Sequence, residues 1–188
     1  MQQSIFIAGL GWRFNLIHTL ENNLIMNNTQ SSGNAKDAAL DALKLFRIIF
    51  KSANRHFHEI EKVAGIGGAS LWALAEAAES DKLTVTELAT RMSIHQSTAS
   101  NLLDKLEVDG YIEKVRSTSD RRVVHIMLTG QGRDILAKAP LPHRGMLPDA
   151  LMRLNPLVLA ELNHHLTVLV KGMEGAHVSA AFEPLGKA

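Results

Sequence analysis

Between positions 96 and 105 the chain gathers Gln96, Ser97, Thr98, Ser100, Asn101 and Lys105, and a little further on it sets Asp120, Arg121 and Arg122 in a row. Gln and Asn can pair bidentately with adenine, Ser and Thr reach phosphates or bases, and Lys105 stands where a phosphate contact fits. An Arg held out on a hairpin can enter a minor groove, whose narrow A·T stretches concentrate negative potential. Beside such an arginine, Asp120 would pair with Arg122 and fix the direction of its guanidinium. Orientation is the point, since an exposed ion pair contributes only about 0–1 kcal/mol. The competing reading of the polar set is a plain solvated helix face.

Other chemistry fits the residues less well. The chain has no cysteine, which removes thiolate nucleophiles, disulfides and Cys-based zinc or redox sites. Gly9-Leu10-Gly11 imitates the start of a dinucleotide fingerprint, but Phe14 stands where the third glycine belongs and no βαβ unit follows. Gly65-Ile66-Gly67-Gly68 lacks the Gly-Lys-Ser/Thr ending of a phosphate loop, and Gly68-Ala69-Ser70-Leu71-Trp72 lacks the last glycine of a nucleophile elbow. Those glycines suit a turn between two helices. Among the nine histidines, His56 and His58 would point about 200° apart on a helix and His164 and His165 about 100° apart, so neither pair is a local chelate. His125 falls on the outward register of a strand. No catalytic residue, metal site or cofactor is expected.

The elements that must position the polar set can be read from periodicity. Ser70 to Glu79 reads as a short helix, Leu83-Thr84-Val85 as a brief strand, and Thr86 as the cap of a helix from Glu87 to Met92. After a turn at Ser93-Ile94, a helix from about Gln96 to Val108 buries Ala99, Leu102, Leu103 and Leu106 and leaves the polar set outside. Asp109-Gly110 ends it. Tyr111 to Arg116 then reads as a strand, Ser117 to Arg121 as a turn, and Val124, Ile126 and Leu128 alternate on the returning strand. A helix-turn-helix followed by a hairpin is a wing-bearing arrangement of the kind that presents one helix to a major groove.

On either side lie helices with apolar seams. From Ala35 to Ala64, Ala39, Leu43, Phe46, Phe50, Ala53, Phe57, Ile60 and Ala64 alternate at spacings of four and three. A helix of this length runs about 45 Å, longer than a domain of this size covers from within, so the stripe asks for a partner surface. An intramolecular bundle helix is the alternative. A second seam, Leu159, Leu162, Leu166, Leu169 and Met173, follows Asn155 as N-cap and Pro156 at the first helical position. Between them, Ala139 to Pro148 must break or kink the preceding helix. Phe50, Phe57 and Trp72 could line an apolar effector pocket where the long helix meets the next one, although aromatics at this spacing also build core.

The polar tract Asn27 to Asn34 has the composition of a linker, and Met26 just before it points to residues 1–25 as the product of an upstream start codon. The resulting plan is 1–34 extension and linker, 35–66 dimerisation helix, 67–138 winged DNA-binding region, 139–175 C-terminal dimerisation region and 176–188 tail. No apolar run approaches the roughly 20 residues that span a bilayer, and residues 1–4 carry no Lys or Arg as a signal peptide would, so a cytoplasmic protein without membrane contact is expected.

Charge alone is mute: 20 Lys plus Arg stand against 19 Asp plus Glu over 188 residues. The surplus is local, six cations against three anions from Gly110 to Lys138.

Glu87-Leu88-Ala89, Ser97-Thr98-Ala99-Ser100, Leu102 to Glu107, Asp109-Gly110-Tyr111-Ile112, Asp120-Arg121-Arg122 and Leu128-Thr129-Gly130-Gln131-Gly132 occur in the order seen in the MarR family of winged-helix transcriptional regulators, which the chain resembles over residues 35–175. The resemblance implies a mainly α fold with a small β-hairpin wing, flanked by N- and C-terminal dimerisation helices. It also implies a non-enzymatic, sequence-specific DNA-binding regulator, a ligand-responsive repressor that meets a pseudo-palindromic operator as a homodimer and responds to a small aromatic effector. A winged-helix protein-interaction module and a histidine-based metal sensor are the alternatives.

Overall fold

The computed structural model of the chain describes residues 35–185 except 81 and 119. The expectations for residues 1–34 lie outside the described residues. Contacts divide the chain into two compact units after Ile48, inside the first described helix, and each unit is described by itself.

That helix, α1, runs from Ala35 to Ala64. In the first unit its Leu40, Leu43 and Leu45 are exposed. In the second unit the rest of α1 is followed by α2 (Gly68–Ala78), α3 (Val85–Met92), α4 (Gln96–Val108), strands β1 (Ile112–Arg116) and β2 (Val124–Leu128), then α5 (Gly130–Lys138), α6 (Met146–Met152) and α7 (Pro156–Lys171). A 3-10 turn at Val178–Phe182 closes the order.

The core is assembled around α2, which is buried along nearly its whole length. Leu71 and Leu74 meet Leu88 of α3, Leu102, Leu103 and Leu106 of α4, and Ile112 and Ile126 of the hairpin, all at 1% exposure or less. Each such side chain contributes about 1.5–3 kcal/mol of apolar burial, so the three helices and the hairpin hold one another in fixed relation. Ile60 and Ala64 at the end of α1 join the same core. Gly68 lets α1 and α2 close, because a Cβ there would lie 2.4 Å from the Phe57 ring.

The helix-turn-helix begins differently from the expectation. Thr84, not Thr86, caps α3: its hydroxyl accepts from the Glu87 N–H at 3.3 Å, while the Glu87 carboxylate accepts from the Thr84 N–H at 2.8 Å. This reciprocal box fixes the first turn two residues early. Thr84 and Val85 are thereby taken from the expected strand, and of it Leu83 alone remains as an isolated bridge to Ile126. Similarly α2 starts at Gly68, not Ser70. The helix from Gln96 to Val108 has the expected bounds, and its inward residues are the expected four.

In the hairpin, β1 and β2 are antiparallel with Lys114 opposite Ile126. Ile126 is fully buried, with Val124 and Leu128 half-buried on either side. His125, on the face opposite Ile126, is half-buried: its Nδ1 lies 3.0 Å from the Lys82 carbonyl and donates to it.

The Leu-Thr-x-x-Gly segment has a local physical cause. Thr129 caps α5 by accepting from the Gly132 N–H at 3.1 Å, and its own hydroxyl lies 2.8 Å from the Gly110 carbonyl. Gly132 passes so close beneath β1 that a Cβ would sit 2.2 Å from the Tyr111 carbonyl oxygen. A side chain is thus excluded there.

The Ala139 to Pro148 stretch does end α5, yet α6 begins within it and takes Pro148 into its first turn, where no intrahelical N–H is required. His56, one of the histidines weighed for metal, is 5% exposed and spends its Nε2 on the Pro142 carbonyl at 3.0 Å. It is a structural tie between α1 and this stretch. Asn155 and Pro156 start α7 as expected, the Asn155 side chain accepting from the Leu157 N–H at 2.9 Å.

Candidate nucleic-acid interface

Three devices hold α4 so that its polar face stays outward. The first is the turn. Ser93 adopts the left-handed conformation, φ 53°, and the Ile94 N–H returns to the Ala89 carbonyl at 3.0 Å, closing α3 with a serine where glycine is usual. The second is the buried seam on the opposite face. With Ala99, Leu102, Leu103 and Leu106 fixed inward, Gln96, Ser97, Asn101 and Lys105 are exposed and Thr98 and Ser100 half-exposed.

The third device ties α4 to the wing. Lys114 of β1 bridges Asp104 and Glu107 of α4, the Glu107 contact at 3.0 Å, and its backbone N–H donates to Glu107 Oε1 at 3.3 Å. Burial works against the Lys114 ammonium, but the hydrogen bonds to Asp104 and Glu107 outweigh it and raise its pKa above the ordinary lysine value. Lys114 is therefore occupied within the fold, and the positive surplus counted along this stretch is smaller at the surface than the sequence suggests.

At the wing tip Asp120 and Arg122 form the expected pair. Arg122 donates through Nε to Oδ1 at 3.1 Å and through Nη2 to Oδ2 at 3.0 Å, while its backbone N–H also reaches Oδ1 at 3.0 Å. The hydrogen bonds from Arg122 hold the Asp120 carboxyl below the ordinary aspartate range, and the same pairing raises Arg122. The Arg122 side chain is 91% exposed all the same, and Arg121 beside it is exposed. A fork-to-fork pair of this kind spends only part of the guanidinium's five donors.

The structure thus brings Gln96, Ser97, Thr98, Ser100, Asn101 and Lys105 onto one helix face and Arg121 and Arg122 onto the adjoining hairpin.

The aromatic trio is not brought together. Phe57 and Trp72 line a cavity of about 420 Å³, whereas Phe50 does not line it and is 60% exposed. Seven residues on a helix share a face but lie about 10 Å apart along the axis, so Phe50 is out of reach of a site built at Phe57. The other walls are Met92 and Ile94 from the helix-turn-helix, Leu151 from α6, and the segment Ala180 to Leu185.

A buried ionic group at the cavity's edge escaped the sequence reading. Glu76, 3% exposed, accepts from the Trp72 indole at 2.9 Å and from Arg144 Nε at 2.8 Å, with Arg91 at 3.4 Å. Burial would raise the Glu76 carboxyl, but the hydrogen bonds from Trp72, Arg144 and Arg91 prevail and hold it below the ordinary value. Arg144 also reaches Glu79 at 2.7 Å. The i, i+4 spacing of Trp72 and Glu76 was visible in the sequence; Arg144, 68 positions away, was not.

Among the described residues no group of three or more His, Cys, Asp or Glu side chains converges, and no helix is long and apolar enough to cross a membrane.

Residues 69–124 match the model of the MarR family. The chain is similar to the HTH-type transcriptional repressor YetL of Bacillus subtilis, 32% identical over 103 residues that cover 51% of this chain and 62% of that protein. It is similar also to the HTH-type transcriptional repressor MdtR of the same organism, 31% identical over 84 residues, 45% of this chain and 54% of that one. The matches therefore span about half to three-fifths of these relatives. Among solved structures, Sco3205, a MarR family transcriptional regulator from Streptomyces coelicolor in complex with DNA, shares the fold with a TM-score of 0.52 at 22% identity, over 77% of this chain and 91% of that chain. The match to the family model lies across α2, α3, α4, β1 and the wing tip up to Val124, the elements that present the polar face and the paired arginine.

Proposed function

We propose that the chain is a sequence-specific DNA-binding transcriptional regulator without enzymatic activity, a repressor that meets a pseudo-palindromic operator as a homodimer. The observation that carries the reading is the joint geometry of α4 and the wing: a short, polar, exposed helix face lashed by Lys114 to a hairpin whose Arg122 is pre-aimed by Asp120. In this reading Gln96, Ser97, Thr98, Ser100 and Asn101 face base edges, Lys105 and Arg121 meet phosphates, and Arg122 enters the flanking minor groove. The repressors YetL and MdtR support the regulatory role.

The partner is a second copy. Helix α7 has no buried residue, and its Leu157, Val158, Leu166, Val168 and Leu169 are exposed, as are Leu40, Leu43 and Leu45 on the first part of α1. A monomer rarely leaves such contiguous apolar faces in water. Residues 35–66 and 139–175 then serve dimerisation and 67–138 reads DNA, with half-sites about 10 base pairs apart on one face of the duplex. The cavity lined by Phe57 and Trp72 has the size of a small-ligand site and suits a small aromatic effector.

A gel shift with the promoter region beside the gene, repeated over a salt series, tests the reading. Binding with a log–log slope near −0.9 per neutralised phosphate is expected. A monomeric protein that retards no fragment would overturn it.

A further inference from the structure

The segment beyond α7 does not trail away from the winged body. After the 3-10 turn at Val178–Phe182, the Phe182 ring lies 4.9 Å from the His95 ring, tilted by 43°, and the Phe182 carbonyl accepts the His95 N–H at 3.3 Å. His95 is the N-cap of α4, where no side chain caps the helix. The end of α4 that would point at phosphates therefore already has a carbonyl oxygen placed on it, which opposes an incoming phosphate at the positive end of the helix.

The same segment closes one side of the cavity, through Ala180, Ala181, Pro184 and Leu185. Its hold is light. The His95 to Phe182 bond is the one backbone hydrogen bond between this segment and the winged body among the described residues, and Val178, Phe182 and Leu185 are 72%, 47% and 64% exposed. A segment so attached opens and closes readily.

We propose that Val178–Leu185 is a built-in strap that competes with DNA for the start of α4. The inference rests on the DNA reading above and deepens it. DNA and the docked strap claim the same end of α4, so displacing one favours the other.

The test compares the full chain with one ending at Ala176, and with full-length Phe182→Ala in case the shortened chain folds poorly. DNA affinity is read by anisotropy, and hydrogen exchange is followed over residues 92–98. Removing the strap should tighten DNA binding about fivefold or more, and Phe182→Ala by a smaller factor. Exchange over 92–98 should rise in both variants. Unchanged or weaker DNA binding in both variants, with exchange raised, overturns the competition while leaving the docking. Unchanged exchange overturns the docking itself. If no variant binds any fragment, the DNA reading has failed and the competition falls with it, whereas the exchange result still judges the strap.

Discussion

Lys114 on β1 and Glu107 on α4 are joined twice, once through the ammonium at 3.0 Å and once through the Lys114 backbone N–H at 3.3 Å. The wing cannot swing relative to α4 without breaking both bonds. With the Lys114 side chain 21% exposed, Lys114→Met would keep most of its packing and lose the charge. Asp104 and Glu107 would then stand uncompensated on the face proposed to meet DNA. The expected result is a stability change within about 1 kcal/mol, as for surface ion pairs, and a loss of DNA affinity of about tenfold or more. Thermal melts and anisotropy on the same preparation check both halves. Undiminished affinity would show that the bridge does not position the wing.

Asn101 and Arg122 should fail in different ways. Asn101→Ala removes a side chain able to read a base edge and should relax sequence preference by about 1–3 kcal/mol at one position of each half-site, as should Gln96→Ala. Arg122→Ala should weaken binding most at A·T-rich flanks. Competition assays with single-base variants of the operator separate the two, and equal losses on every sequence would reassign either residue to a phosphate contact.

Much of the geometry of this candidate interface was legible in the sequence because α4 and the hairpin are local structures. The spacing of Ala99, Leu102, Leu103 and Leu106 fixes which face of α4 is outward, and Asp120 lies two residues from its partner. The errors have equally local causes. Thr84 and Thr86 are both plausible caps, and only Glu87, three residues after Thr84, decides between them. What could not be read were contacts between distant positions: Glu76 with Arg144, His56 with Pro142, Phe182 with His95. Periodicity carries no information about such pairs, so the cavity was expected at Phe50, Phe57 and Trp72 from helical spacing when its far walls come from α6 and the chain's last described residues.

The Ser93 conformation gives a prediction about stability. A non-glycine residue in the left-handed region costs about 1–2 kcal/mol, partly offset in a glycine variant by the entropy that glycine loses on folding. Ser93→Gly should therefore stabilise the protein by about 0.5–1 kcal/mol, a rise in Tm of about 1–4 °C, and Ser93→Val should lower it. In contrast, Gly132→Ala drives a methyl into the Tyr111 carbonyl and should destabilise by about 1–3 kcal/mol. Differential scanning calorimetry on the three variants tests the pair of signs.

Glu76 gives the pH dependence. Its folded pKa lies below the ordinary glutamate value, so its stabilising contribution is complete above about pH 4.3 and is lost as pH falls through the lower folded value. Glu76→Gln keeps an acceptor for the Trp72 indole but removes the charge that Arg144 and Arg91 face. Breaking a buried pair from one side costs about 3–5 kcal/mol; here the arginine side chains are 32% and 40% exposed and can turn to water, so about 1–3 kcal/mol is expected at pH 7. The gap between variant and parent should narrow as pH drops below 4, because protonation makes the parent's carboxyl as neutral as the amide. Urea denaturation at several pH values measures it, and a gap independent of pH would mean that Glu76 holds α2 to Arg144 by shape and not by charge.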